Sequence, residues 1–290
     1  TLDAVLREAG RFRMGPCELM DLVGHDVNFA VTSAVFGDYF GDPRYRPSPL
    51  QREMVEAGRL GRKSGRGFFD YSPGAPAPVP RGEPAAPKPA RAAIEGGLGP
   101  AEPLLERLPG SGIAFKRVDT SAGGAIVLDG AILRLTDGRT ATARAVGHEP
   151  NLVLFDLSLD YAKTGRIALA PSDTASSEAR ASAVGFFQAL GMAVSLVDDA
   201  PGLIVARTIA MLVNEAAEAV LHGVAAPADI DLAMTKGVNY PGGPFAWLDR
   251  LGIGYVVSVL DNLGAAYGED RYRVSSWLRR RAAAQAQKRS

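Results

Sequence analysis

The 290-residue chain is poor in the residues that build disulfides and metal centres. It has one cysteine, Cys17, so no disulfide forms within it and no multi-cysteine metal site can assemble. That scarcity points to a reducing compartment, the cytosol. Its three histidines, His25, His148 and His222, stand far apart and in no ligand spacing such as HExxH, so no metal is expected. Charge of either sign is lacking on balance, with 32 basic residues against 32 acidic. A neutral chain has no general attraction to nucleic acid or to an anionic bilayer, and neither is expected as a partner. The longest stretch free of charge, Ala181 to Val197, is broken by Ser182, Gln188, Gly191 and Ser195. It falls short of the ~20 apolar residues that a membrane-spanning helix needs.

What is present suits packed cores. Hydrophobic residues make up 47%, and the length predicts about two domains. Seven prolines crowd between Pro73 and Pro89, a composition that reads as a semi-extended linker over 72–97. Before it, residues 1–71 read as helical. Leu2, Val5, Leu6 and Ala9 share a face, Gly24 ends a second helix, and Asp26 caps a third over Val27 to Tyr39. The loop GRLGRKSGRGFFDY closes this piece on a Phe68-Phe69 anchor. Residues 98–199 read as a small α/β unit. Asp129-Gly130 makes a hairpin between Ala125–Leu128 and Ile132–Leu135. Strands are expected at Leu152 to Leu157, Ile167 to Ala170 and Val194 to Val197, with a helix over Ser177 to Leu190. Residues 200–290 return to helix: Ile204 to Leu221 is long and unbroken, and the next begins at Pro227 with Asp229 as its cap.

The two helical pieces are copies. A shift of 228 residues lays Asp3 on Asp231, Gly15-Pro16 on Gly243-Pro244, Asp21 on Asp249, Gly24 on Gly252 and Tyr39 on Tyr267. One register later, Arg44-Tyr45-Arg46 falls on Arg271-Tyr272-Arg273. Internal repetition of this order marks a duplicated structural unit. The second copy is preceded by the long helix; the first has nothing ahead of Thr1, so it reads as truncated.

These residues also carry a resemblance. Met14-Gly-Pro-Cys-Glu-Leu-Met-Asp-Leu-Val-Gly24 resembles the MGPFEL-D-x-x-G signature of the C-terminal domain of 3-hydroxyacyl-CoA dehydrogenases. Gly61-Arg-Lys-Ser-Gly-Arg-Gly-Phe-Phe-Asp-Tyr71 resembles that domain's closing GxKxGxGFYxY motif. Asp199 through Arg207 and Tyr240 through Phe245 resemble its D-x-PGFIVNR and GYPMGPF stretches. The tandem arrangement is similar to the long bacterial members with two such domains, including those of phenylacetate degradation and fatty-acid β-oxidation.

The resemblance implies an α+β fold, mainly α, with two helical modules flanking a degenerate Rossmann-like unit. It implies that the chain is the C-terminal portion of an NAD-dependent (S)-3-hydroxyacyl-CoA dehydrogenase, with an acyl-CoA substrate. The NAD-binding Rossmann domain, of roughly 180–200 residues for one domain, would lie ahead of Thr1. No GxGxxG turn is recognised after any strand, so this fragment is expected to bind no NAD and to be inactive alone. The family's asparagine in PGFIVNR is Ala206 here, which has no side-chain hydrogen bond to offer. No residue is expected to be catalytic or to bind cofactor; Met14 and Pro16 are the candidates for lining the acyl end of the substrate site. Lys63, His25, the pair His148-Glu149, the face Asn214–Glu218–His222 and the basic tail Arg279–Arg281 with Lys288 and Arg289 read as surface or capping groups. Cys17 reads as a small core residue. Relatives with a single such module dimerise through it, which implies a homodimer or an internal pseudo-dimer of the two copies. The alternative reading is a non-catalytic helical binding or assembly protein derived from the same family.

Overall fold

The computed structural model describes residues 1–120, 123–147 and 149–288; His148 and Arg289 lie outside the described residues. The first repeat forms α1 (Leu2–Glu8), α2 (Pro16–Val23), α3 (His25–Asp38), a 3-10 turn at Pro43–Tyr45 and α4 (Pro49–Glu56). The middle of the chain forms β1 (Arg91–Glu95), a 3-10 helix (Gly99–Arg107), β2 (Ala114–Val118), β3 (Ala125–Leu128), β4 (Ala131–Leu135), α5 (Ala141–Ala145), β5 (Leu152–Phe155), β6 (Arg166–Pro171), α6 (Ser177–Ala189) and β7 (Ala193–Leu196). The last part forms α7 (Val205–Leu221), α8 (Pro227–Gly237), α9 (Pro244–Leu251), α10 (Ile253–Tyr267), a 3-10 turn at Asp270–Tyr272 and α11 (Ser276–Gln287).

The strands make one mixed sheet in the order β2-β1-β3-β4-β5-β6-β7. Its parallel pairs are β1/β2, β4/β5 and β6/β7, and each is joined by a helical crossover, as parallel strands require. The antiparallel pair β3/β4 turns on Asp129-Gly130, with Leu128 opposite Ala131 and Gly130 at φ +82°. β5 and the first five residues of β6 are buried, which explains the apolar runs Leu152–Phe155 and Ile167–Ala170. One face of the sheet packs on α6 through Phe155, Phe186 and Phe187; Ala141, Ala145 and Leu203 cover part of the other.

Two expectations need correction. First, the stretch read as linker to residue 97 ends in a strand: β1 lies between β2 and β3. Upstream of it the proline-rich segment is strapped to the α/β unit. The Glu83 amide donates to the Val194 carbonyl at 2.8 Å, the Ala86 amide to Gln188 Oε1 at 2.9 Å, and Ser195 Oγ to the Arg81 carbonyl at 2.5 Å. Second, the caps shift. Gly24, at φ +100°, both ends α2 and starts α3, and Ala226 starts α8; Asp26 and Asp229 stand in the first turns, where a carboxylate still meets the positive end of the helix dipole. Beyond these corrections, the first repeat packs directly on the second. Val5 and Leu6 of α1 and Ala9, which follows it, share one core with α7, α9 and α10.

The repeats correspond element by element, α1 with α8, α2 with α9, α3 with α10 and α4 with α11, and they touch through matched residues. Phe12 and Tyr240, equivalent under the 228-residue shift, meet edge to face with ring centroids 5.5 Å apart. The two 3-10 turns also meet: Arg44 Nη1 donates to the Arg273 carbonyl at 2.8 Å and Arg44 pairs with Glu215 of α7 at 2.9 Å. Contact between equivalent groups is the mark of a twofold relation.

Sheet and helices are joined at Asp156, just after β5 and fully buried. Its carboxylate accepts the amides of Ile204, Val205 and Ala206 at the start of α7, at 3.0, 2.7 and 3.0 Å, and that of Leu157 at 2.8 Å. Burial pushes its pKa up to about 6, against the opposing pull of these amides.

Asp156→Ala strands these buried donors and is expected to cost about 3 kcal/mol, a fall in Tm of roughly 5–10 °C in a thermal melt. Gly185→Ala is expected to loosen the strap, because a Cβ there would sit 2.0 Å from the Pro87 carbonyl oxygen. Limited proteolysis should then cut between residues 81 and 89 faster than in the parent chain.

Candidate functional site

The Met14-Gly15-Pro16 turn is built by a carboxylate. Asp3, buried on α1, accepts the amides of Cys17 and Glu18, both at 2.9 Å. These are unpaired donors of the first turn of α2; Pro16 occupies the first helical position, where its missing N–H costs nothing. A Cβ on Gly15 would fall 2.2 Å from Asp3, so only glycine lets α1 and the turn close. The second repeat does the same: Asp231 accepts the Phe245 and Ala246 amides at 2.8 and 2.9 Å, and a Cβ on Gly243 would fall 2.0 Å from it. Met14 and Pro16 are half-buried. Five cavities of about 410–700 Å³ among the described residues are lined by other residues.

A second carboxylate, Asp21, organises the closing loop. Its side chain is sealed from solvent and accepts the Phe68 and Phe69 amides at 2.9 and 3.0 Å and the Tyr71 hydroxyl at 3.0 Å. His25 Nε2 lies 2.7 Å away and donates to it. Gly61 and Gly67 are required by proximity: a Cβ on either would come within 2.2 Å of Asp21. The reading of His25 as a surface or capping group is therefore overturned. It is 1% exposed, and its ring meets Phe68 edge to face at 4.9 Å. The Asp–His pair is enclosed and its carboxylate saturated, so it locks the loop.

The remaining candidates also have places. Lys63 pairs with Asp26. Asn214 does not face solvent; it is fully buried, donating to the Arg273 carbonyl at 2.9 Å and accepting the Ser275 amide at 2.8 Å. Glu218 and His222 approach to 3.5 Å on the same helix. Cys17 is half-buried, and burial with the neighbouring Asp3 pushes its thiol up to about 12, so it is no nucleophile at neutral pH. No group of three or more His, Cys, Asp or Glu side chains among the described residues could hold a metal. No helix among them is long and apolar enough to cross a membrane.

One feature was missed from sequence. β1 runs into Gly97-Leu98-Gly99 and then the helical turn Gly99–Arg107, with β2 returning parallel. This is the strand–glycine turn–helix order of a dinucleotide site, and Glu102 stands where the third glycine belongs. The pattern was hidden because β1 is a short, alanine-rich strand adjoining the proline-rich segment. The residues do not fit NAD. Glu102 Oε2 accepts the Leu98 amide of the turn at 2.9 Å, and its other oxygen pairs with Arg117. The chain's own carboxylate sits where a pyrophosphate would need free amides. At α7, Ala206 brings no polar side chain and its amide is committed to Asp156.

Burial alone would raise the Asp21 carboxyl, but the Phe69 and Phe68 amides, His25 and Tyr71 hold it below its ordinary value of 3.8. The stability it contributes is present above that value and is lost as pH falls through the lower folded-state value. Acidification below about pH 4 is thus expected to release residues 61–71 in hydrogen exchange. Asp21→Asn is expected to release the same loop at neutral pH and to cost about 2–3 kcal/mol.

Family models match both ends and part of the middle. The 3-hydroxyacyl-CoA dehydrogenase C-terminal domain matches residues 1–71 and 202–290. The reduced Rossmann-fold domain of 3-hydroxybutyryl-CoA dehydrogenase matches residues 133–201. The expectation that the chain lacks a Rossmann domain is corrected to that extent: a reduced one is present. A 3-hydroxyadipyl-CoA dehydrogenase of Escherichia coli is 39% identical over 281 residues, 97% of this chain and 53% of that protein. A probable 3-hydroxybutyryl-CoA dehydrogenase of Deinococcus radiodurans is 46% identical over 70 residues, 24% of this chain and 25% of its own length. The crystal structure of a 3-hydroxybutyryl-CoA dehydrogenase from Escherichia coli superposes with a TM-score of 0.83 at 35% identity, covering 99% of this chain and 55% of that one. The chain thus spans about half the length of these Escherichia coli relatives, and it belongs to the 3-hydroxyacyl-CoA dehydrogenase family, whose C-terminal domain it carries in two copies.

Proposed function

We propose that these residues are the C-terminal portion of an NAD-dependent (S)-3-hydroxyacyl-CoA dehydrogenase, which oxidises the 3-hydroxyl of an acyl-CoA to the ketone. The domains would be a truncated substrate and dimerisation module (1–71), a strap and small α/β unit to residue 199, and a second helical module (200–290). The observation that carries this reading is the Met14-Gly15-Pro16 turn. It keeps the family's signature and is held rigid by Asp3, whose carboxylate accepts the Cys17 and Glu18 amides. The NAD site would lie outside these residues, since the Gly97–Gly99 turn is filled by Glu102.

In this reading the two repeats have parted roles. The first presents Met14 and Pro16 to the acyl end of the substrate. The second, with Ala206 and a fully used α7 amino terminus, supplies packing. The Phe12–Tyr240 and Arg44–Arg273 contacts support a pseudo-dimer, with the second module standing in for the other subunit. Phenylacetate degradation and β-oxidation are the two pathway settings that fit such an enzyme.

The test is steady-state kinetics of the full-length protein with NAD and a series of 3-hydroxyacyl-CoA substrates, short, long and dicarboxylic. NADH formation with at least one of them is expected, and none from residues 1–290 alone. Met14→Ala is expected to change kcat/KM by about tenfold, the order of one apolar contact, and unequally across acyl lengths. Absence of NADH with every substrate, or a Met14→Ala effect equal for all of them, would overturn the corresponding part of the proposal.

A further inference from the structure

The first repeat fills a seat that the second leaves open. In the first, α4 stops at Glu56, and Gly58, at φ +67°, turns the chain back. The loop Gly61–Tyr71 then rests on Asp21, which accepts the Phe68 and Phe69 amides and the Tyr71 hydroxyl. The Leu60 carbonyl accepts the His25 amide at 3.3 Å. In the register that matches the two 3-10 turns, Gly58 and Gly61 fall on Gln285 and Lys288. Without those glycines the helix is not broken there, and α11 runs on to Gln287.

The seat itself is kept. Where α9 meets α10 beside α11, a cavity of about 460 Å³ is lined by Asp249, Gly252, Ile253, Trp277, Arg281 and Lys288. A second cavity of about 700 Å³ shares Gly252, Ile253 and Gln285 with it, so the two form one groove. Asp249, Gly252 and Ile253 are the equivalents of Asp21, Gly24 and His25, on which the closing loop rests. Asp21 is saturated, whereas Asp249 is exposed and its carboxylate has no partner among the described residues. Ile253 brings a half-buried apolar side chain to the place where His25 meets Phe68. Arg281 stands in the place of Met54 and lies over the Trp277 ring, 3.9 Å from its centroid. Neither Arg281 nor Lys288 is paired with an acid among the described residues.

We infer that this groove is a docking site for an extended segment of another polypeptide, of the form acid–glycine–aromatic–aromatic. The two aromatic residues give their backbone amides to Asp249, as Phe68 and Phe69 give theirs to Asp21; hydrogen bonds to an ionised acceptor are the strong ones. The residue ahead of them is glycine, because a Cβ on Gly67 would fall 2.0 Å from the carboxylate it faces. The first aromatic ring rests on Ile253. The residue before the glycine corresponds to Arg66, whose carbonyl accepts the Gly61 amide at 2.9 Å. Lys288 stands at the position of Gly61 and Arg281 lines the same cavity, so an acid belongs there in the second seat. Main-chain hydrogen bonds supply the affinity and the pocket for the side chains supplies the choice of partner. The site is separate from any dehydrogenase reaction.

The probe is the hexapeptide Glu-Gly-Phe-Phe-Asp-Tyr, capped at both ends, titrated into the 290-residue chain and followed by amide chemical shifts. Saturable shifts are expected at Leu248, Ile253 and Trp277. Alanine in place of the peptide's glycine, or Asp249→Asn in the protein, is expected to weaken binding by about tenfold or more. Arginine in place of its glutamate is expected to weaken binding by about threefold at low salt, and less at high salt. Asp249 is exposed, so Asp249→Asn is expected to leave Tm unmoved. Absence of saturable shifts, equal binding by the alanine or arginine peptide, or unchanged binding by the Asp249→Asn chain would overturn the inference. So would sedimentation showing that the chain pairs with itself and that Asp249→Asn separates it, because a second copy would then be the occupant. None of these readings depends on turnover, so failure of the kinetic test above would leave them unchanged.

Discussion

A carboxylate taken out of water and given backbone amides in return recurs through this molecule, and Asp156 is the instance on which the others depend. It stands at the end of a wholly buried strand and receives the first amides of the longest helix. The pairing answers two demands together: the open donors of a helix start and the need of a buried charge for partners. It also fixes the direction of α7 relative to the sheet. α9, α10, α11 and the front helix α1 pack around α7 in one core, so the placement of both repeats follows from that one junction. Asp3, Asp231, Asp21 and Asp199 repeat the device at smaller scale, each accepting two amides.

The part legible in the sequence was the part written in periodicity and punctuation. The hairpin at Asp129-Gly130, the strand at Leu152 and the helix beginning near Ile204 follow from apolar runs bounded by glycine and proline. The repeat was visible because acids, glycines and tyrosines held their spacing. What escaped notice was what needs partners distant in the chain. Nothing near His25 announces that Phe68 will cover it. The proline-rich segment has the composition of a free spacer, yet Gln188 and Val194 give its backbone hydrogen-bond partners. Asn214 and His222 share a helical face in projection, but a buried carbonyl and amide claim one while the other stays in water.

The α/β unit has a sheet whose antiparallel pairs interrupt the all-parallel pattern of a nucleotide-binding layer. It keeps the order of strand, glycine turn and helix at β1, but the turn is closed by Glu102 and Arg117 from within. An internal ion pair of this sort does the structural work of a bound phosphate without the ligand: it satisfies the turn's amide and holds the crossover in place. The core of the unit gathers Phe155, Phe186 and Phe187, whose rings meet at 5.4 and 5.2 Å.

The meeting of Phe12 with Tyr240 has a consequence for how such a protein can change. In a dimer of identical chains, a residue on the symmetry axis faces itself, so every substitution there arrives twice and must suit its own image. Here the two positions are separately encoded. One side became phenylalanine and the other tyrosine, and the pair settled into an edge-to-face contact between unlike rings. The same release applies to every matched position. Position 17 is cysteine in one copy where the other has Phe245, and neither residue had to be tolerated in both halves at once.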